Sequence, residues 1–293
     1  QEKSVSKTST VDSHVKAPAS GSSQSKEKNV YLPKFFSFSS LSSYDRCPYQ
    51  FYFAKILRIP TFGRAAFTFG DVIHRTLKDF LEESFAVSAR QQADLFGGGQ
   101  SQEAGLTDKL LPVEHLLNIY EKNWSDDWYP NKADKESYYQ KGRSELKEFY
   151  ADFAETKPRV KMLEQPFQWR LKQFKIVGRI DRIDEVEGGV EIIDYKTGTP
   201  KGDKLSTEDK RQLVLYHIAA EEVLGLRPVK LTYHYLEGNK KVSFSASDKD
   251  IEKLKTKLLA SIRGIQEGDF SPAPNPFVCK YCDFKDICDF RKL

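Results

Sequence analysis

Methionine is nearly missing from this chain of 293 residues: Met162 stands alone, and the first residue is Gln1. A sequence without an initiator is read as a segment of a longer cytoplasmic polypeptide. Also missing is any apolar run near the roughly 18 to 20 residues that a bilayer crossing needs, so a membrane-embedded class is excluded and a soluble protein is expected. Neither sign of charge prevails: 46 basic residues face 42 acidic ones, for a net charge of +4. That balance neither demands nor excludes a nucleic-acid partner, because the placement of the basic groups decides it. Internal repeats are absent too. What the chain does have is 39% hydrophobic residues, enough to bury a core and to exclude a wholly disordered protein. Its length suits one large domain or two small ones.

Residues 1 to about 30 are rich in Ser, Lys, Thr and Gln and poor in large apolar groups. Such a stretch cannot offset its ordering entropy by burial, so it reads as a linker. Structure is expected from "LPKFFSFSSLSSYDRCPYQFYFAKIL" onward, in one domain over residues 31–293. Its first part, 31–157, reads as mainly helical, with a mobile loop at about 89–107 marked by a run of glycines. In "FTFGDVIHRTLKDFLEES" the residues Ile73, Leu77, Phe80 and Leu81 recur at helical spacing. Beyond Pro158 the texture changes to strands: "FQWRLKQ", "FKIVGRIDRID", "VEIIDYKTG", "VKLTYHYLEG" and "KKVSFSAS", with Gly188-Gly189 signalling a hairpin. A helix opened by Ser206 and Asp209 interrupts the strands, and another follows them. The expected class is α/β, a mixed central sheet flanked by helices.

One stretch, "VEIIDYKTGTP" at residues 190–200, ends a buried-looking strand with two charges. Residues two apart in a strand share a face, so Asp194 and Lys196 project together and Tyr195 points away. The hairpin brings Asp181, placed at the end of "FKIVGRID", close to Asp194. Two neighbouring carboxylates call for a cation, and hard oxygen donors suit Mg²⁺ or Mn²⁺. An ammonium on the same face can hold an attacking water or steady charge on a phosphate. The competing reading is a plain ion pair at a strand end.

The order "GRIDRID", hairpin, "IIDYKTG" and "RQLVLYH" resembles the PD-(D/E)xK nuclease superfamily and, within it, the RecB-like branch of AddB-type helicase–nucleases and CRISPR spacer-acquisition nucleases. The resemblance implies a restriction-endonuclease-like fold whose catalytic α/β core lies at 158–270. It also implies metal ligation by Asp181, Asp194 and the Tyr195 carbonyl, with Lys196 positioning the hydrolytic water. Gln212 and Tyr216 map to its helix motif, and their spacing of four puts them on one helical face. "GDVIHRTL" is similar to the branch's N-terminal motif, which makes His74 a further expected ligand. Glu164 is an additional candidate, whereas His14, His115, His217 and His234 have no such support.

Four cysteines remain, Cys47 and the trio Cys279, Cys282 and Cys288 in "CKYCDFKDIC". Two disulfides, a four-thiolate zinc site and an iron–sulfur cluster all stay open on spacing alone. One cysteine before the nuclease motifs and three after them resembles the cluster-bearing members of the branch. That implies a structural [4Fe–4S] cluster with residues 271–293 as its binding tail. The function expected from the resemblance is metal-dependent DNA hydrolysis, exonuclease before endonuclease, as the C-terminal module of a helicase–nuclease acting on single-stranded ends. The protein would then be cytoplasmic, beside the nucleoid in a prokaryote, with no membrane partner. Alternatives are a stand-alone CRISPR-adaptation-type exonuclease and a catalytically inactive scaffold of the same fold.

Overall fold

A computed structural model describes residues 33–96, 110–200, 202 and 205–292. Backbone contacts divide the chain into Gln1–Val30 and Tyr31–Leu293. The first unit, read above as a linker, lies outside the described residues.

The second unit is built on a long antiparallel pair. β2 (Arg159–Leu171) and β3 (Phe174–Val186) run beside each other from Leu171 opposite Phe174 to Arg159 opposite Glu185, with a shift of one residue between Val160 and Met162. Gly188, at φ 79°, supplies the left-handed residue of the turn into β4 (Gly189–Lys196), as its lack of a Cβ permits. β4 continues through helix α6 (Thr207–Glu222) into β5 (Pro228–Tyr235), which lies parallel to it, and β6 (Lys240–Phe244) folds back antiparallel to β5. A two-residue β1 (Phe36–Ser37) pairs parallel with Ile176 and Val177 of β3. The result is a six-stranded mixed sheet in the order β1-β3-β4-β5-β6, with β2 on β3.

Helices cover both faces, because both faces of the central strands are apolar. On one side Ile180, Ile183, Ile192 and Leu231 join Leu213 and Leu215 of α6, Leu41 of α1 (Phe38–Arg46) and Leu258 of α7 (Asp248–Glu267). On the other side Ile193 and Tyr195 join residues of α3 (Ala65–Phe96), α4 (Val113–Asn123) and α5 (Lys132–Thr156). α6 and α7 each begin in a capping box, Ser206 with Asp209 and Ser247 with Asp250, which ties off backbone N–H groups otherwise left without partners.

Three sequence expectations change. The backbone of α3 runs on to Phe96, so residues 89–96 of the segment read as a loop are helical, and 97–107 lie outside the described residues. Asp181 stands inside β3 rather than at its end, since that strand goes on to Val186. Glu164 lies within β2, not before it. Among the described residues no helix is long and apolar enough to cross a membrane.

Candidate active site

The register places three acids in one row. Leu163 and Gln165 face Arg182 and Ile180 across β2–β3, which sets Glu164 opposite Asp181. Arg182 faces Ile193 across β3–β4, so the next step of that register sets Asp181 opposite Asp194. Glu164 reaches its position with φ 45°, a left-handed conformation that costs a non-glycine residue about 1–3 kcal/mol and tends to persist at working sites. The β3–β4 ladder stops at Arg182 and Ile193. Beyond it the Asp181 carboxylate takes the Tyr195 N–H at 2.9 Å.

α3 delivers an imidazole to the same place. His74 lies with Nε2 at 3.1 Å from the Tyr195 carbonyl oxygen and Nδ1 at 3.4 Å from Asp181 Oδ2. Ligand atoms of His74, Glu164 and Asp181 all lie within 4.8 Å of one another, the one such group of three or more among the described residues. Burial first and the nearby Asp194 carboxylate second push Asp181 well above the usual carboxylate range. Burial also raises Glu164, against the pull of His74 and Arg179.

Asp194 stands beside this group with its own supports. The Gln212 amide of α6 donates to Asp194 Oδ1 at 2.9 Å and to the Tyr216 hydroxyl at 2.8 Å, while its Oε1 accepts from Lys196 Nζ at 3.0 Å. Lys196 Nζ also lies 2.5 Å from Asp194 Oδ2, yet that oxygen, though buried, makes no hydrogen bond of acceptable geometry. A buried carboxylate oxygen without a hydrogen bond, next to two more carboxylates, a carbonyl and an imidazole, suits a hard divalent cation such as Mg²⁺ or Mn²⁺.

Seven residues expected from the sequence, His74, Asp181, Asp194, Tyr195, Lys196, Gln212 and Tyr216, therefore converge from α3, β3, β4 and α6. The other described histidines lie elsewhere: His115 pairs with Glu83 at 2.6 Å, His217 with Glu221 at 3.8 Å, and buried His234 contacts Asn239. His14 lies outside the described residues. Sequence reasoning passed over Arg182. It is buried on the opposite face of the sheet, where it donates to the Tyr195 hydroxyl at 2.8 Å and to Asp184 at 2.9 Å. In "GRIDRID" it stands between Asp181 and Ile183, in a run of five buried residues from Ile180 to Asp184.

The four cysteines line one largely apolar cavity with Phe53, Phe284 and Val278, and no disulfide joins them. Burial, with Cys47 and Cys288 close by, pushes the Cys282 thiol up. Cys47 sits between α1 and the short α2 (Pro48–Phe51); Cys279 is in the last turn of α8 (Pro276–Lys280). Their sulfurs supply no group of three within 4.8 Å.

The family model of the PD-(D/E)XK nuclease superfamily matches residues 35–289. The gene 69 proteins of Mycobacterium phages L5 and D29 are 23% and 24% identical to the chain, each over 87% of it and over 96% and 97% of their own lengths. Among solved structures, a candidate exonuclease of Eubacterium rectale superposes with a TM-score of 0.52 at 12% identity, over 93% of this chain and 96% of that one. That likeness is one of fold.

Proposed function

The chain belongs to the PD-(D/E)XK nuclease superfamily, and from that premise we propose that it is a metal-dependent deoxyribonuclease whose centre is the row of Glu164, Asp181 and Asp194 with Lys196 beside it. The observation that carries the reading is Asp194, fixed at one oxygen by Gln212 while the other, beside Lys196, lacks a hydrogen bond. His74, Glu164, Asp181, Asp194 and the Tyr195 carbonyl would hold the Mg²⁺ or Mn²⁺. Such an ion supplies Lewis acidity toward the phosphodiester and toward a water. The chain's own groups do the rest. Lys196, steadied by Gln212, presents ammonium protons to the attacking water and to charge developing on the phosphate. Gln212 keeps Asp194 and Lys196 at fixed separation, and Tyr216, its hydroxyl kept protonated by burial, closes the network from α6. A full set of these groups favours catalysis over the inactive-scaffold alternative.

We assign the four thiols to a structural [4Fe–4S] cluster. What supports this is that all four thiols line one cavity, with one cysteine before the nuclease motifs and three after them as in the cluster-bearing members that the sequence resembles. Service as the nuclease module of a helicase-type repair and recombination protein rests on the RecB-like resemblance. The free-standing alternative is favoured by the phage relatives, which the chain matches over nearly their whole lengths.

The test is cleavage of single- and double-stranded DNA with Mg²⁺ or Mn²⁺. Wild-type protein should cut and lose activity in chelator, whereas Asp194→Ala and Lys196→Ala should each lose about a thousandfold or more. Undiminished cutting by both variants would remove the assignment.

A further inference from the structure

Besides Phe35 at 59%, five aromatic side chains among the described residues are more than half exposed: Phe62 at 86%, Phe67 at 69%, Trp128 at 53%, Phe277 at 71% and Tyr281 at 55%. Two features set them apart from scattered surface residues. First, the chain gives up backbone freedom to present one of them. Trp128 has φ 68°, strained for so bulky a residue, and its indole lies so close to Gly63 that a Cβ there would fall 2.4 Å from the ring. Phe62 meets the same indole edge-on, with centroids 6.2 Å apart. Second, cations lie among the rings. Arg64 stands 6.0 Å from the Phe67 centroid and donates to the Tyr281 carbonyl at 2.8 Å, besides pairing with Asp283. Lys280 Nζ is 5.5 Å from the Tyr281 centroid, and that ring meets Phe277 at 5.5 Å.

These rings lead to the carboxylate row. Phe67, Gly70 and His74 follow one another at spacings of three and four, so they share a face of α3. Gly70 marks where that face meets the end of β4, since a Cβ there would lie 3.5 Å from Thr197 Oγ1, one residue past Lys196. Phe67 is thus about 10 Å of helix rise from His74, a short reach of nucleic-acid strand. Base faces are available to such rings only in unpaired strands, because a duplex keeps them stacked on one another.

We propose that Phe67, with Phe62, Trp128 and Tyr281 beyond it, forms a stacking track for the bases of a single DNA strand whose backbone enters the metal centre. The track rests on the nuclease assignment above and makes that site selective for single strands. Arg64 and Lys280 meet the phosphates or cover the bases, and Phe67 is the last ring before the scissile bond.

Fluorescence anisotropy in EDTA tests this without catalysis, using a labelled oligothymidylate and a duplex of equal length at fixed salt. Wild-type protein should prefer the single strand. Phe67→Ala and Phe62→Ala should each weaken single-strand binding about tenfold, leave duplex binding unmoved and melt like the wild type, while Phe67→Trp should retain affinity. Unchanged single-strand binding in both alanine variants, or equal losses on duplex, would overturn the track. So would a wild type without single-strand preference. A protein that bound as expected yet cut no DNA would instead fail the assignment of the preceding subsection.

Discussion

The carboxylate of Asp181 accepts the Tyr195 N–H where the β3–β4 ladder ends, so one side chain replaces the hydrogen bond that a neighbouring strand would have supplied. It is held there within reach of two other acids. Asp181→Asn preserves the shape and the acceptor while removing one of these like charges. At pH 8 in chelator the variant should be more stable than the wild type, by on the order of 1–2 kcal/mol. Mn²⁺ should then raise the wild-type Tm and leave that of Asp181→Asn nearly unchanged. Thermal melts with and without Mn²⁺ check both halves.

Gln212 makes three hydrogen bonds, to Lys196, Asp194 and Tyr216. Gln212→Ala should lower kcat by about 10- to 100-fold with KM little altered, since groups that orient metal-site ligands act on the chemistry more than on substrate uptake. Tyr216→Phe removes only one of those partners and should cost a few-fold. Steady-state kinetics on a fluorescent oligonucleotide separates the two.

Behind the site, Arg182 and Asp184 form a buried pair at 2.9 Å. Breaking it leaves a charge with no solvent and no counterion. Asp184→Ala should therefore destabilise by about 3–5 kcal/mol, and the double change Arg182→Met with Asp184→Leu should recover much of that loss. Urea unfolding of the single and double variants is the measurement. Arg182→Met alone should also disturb metal binding, because the arginine holds the Tyr195 ring and with it the peptide facing His74.

Glu145 on α5 is buried, neither of its carboxylate oxygens has a hydrogen bond, and burial raises its pKa to about 7 despite Lys141 at 3.6 Å. A folded-state value above the ordinary 4.5 means the folded form holds this proton more tightly than the unfolded chain. The contribution is thus fully present below about pH 4.5 and is lost as pH rises through about 7. Glu145→Gln should match the wild type near pH 5 and exceed it by roughly 1–2 kcal/mol at pH 8.5. A stability gap that does not widen with pH would contradict this.

Purified protein should be brown and contain iron and sulfide rather than zinc. Cys47→Ser should lose the colour and expose the tail after Phe270 to proteases, because the thiols then no longer connect it to α1 and α2. Elemental analysis and limited proteolysis report the two effects.

Much of the fold was legible because its punctuation is local. Gly188-Gly189 marks the hairpin, Ser206 with Asp209 opens α6, and alternation along residues 190–196 sets Asp194 and Lys196 on one face. α4 escaped notice, since "VEHLLNIYEKN" is short and follows a stretch with no clear periodicity. The place of Glu164 was only partly legible. Its row depends on the register between β2 and β3, which includes a shift between Val160 and Met162 that no local pattern announces. Arg182 was missed because its aromatic partners, Phe153 of α5 and Tyr195 of β4, are brought to it only by folding.

The centre draws on α3, β3, β4 and the α6 crossover between two parallel strands. No contiguous piece of the chain shorter than His74 to Tyr216 contains it. A polypeptide still emerging from the ribosome therefore cannot assemble the centre until that whole span is out and the sheet has closed. Topology alone postpones the assembly of the centre.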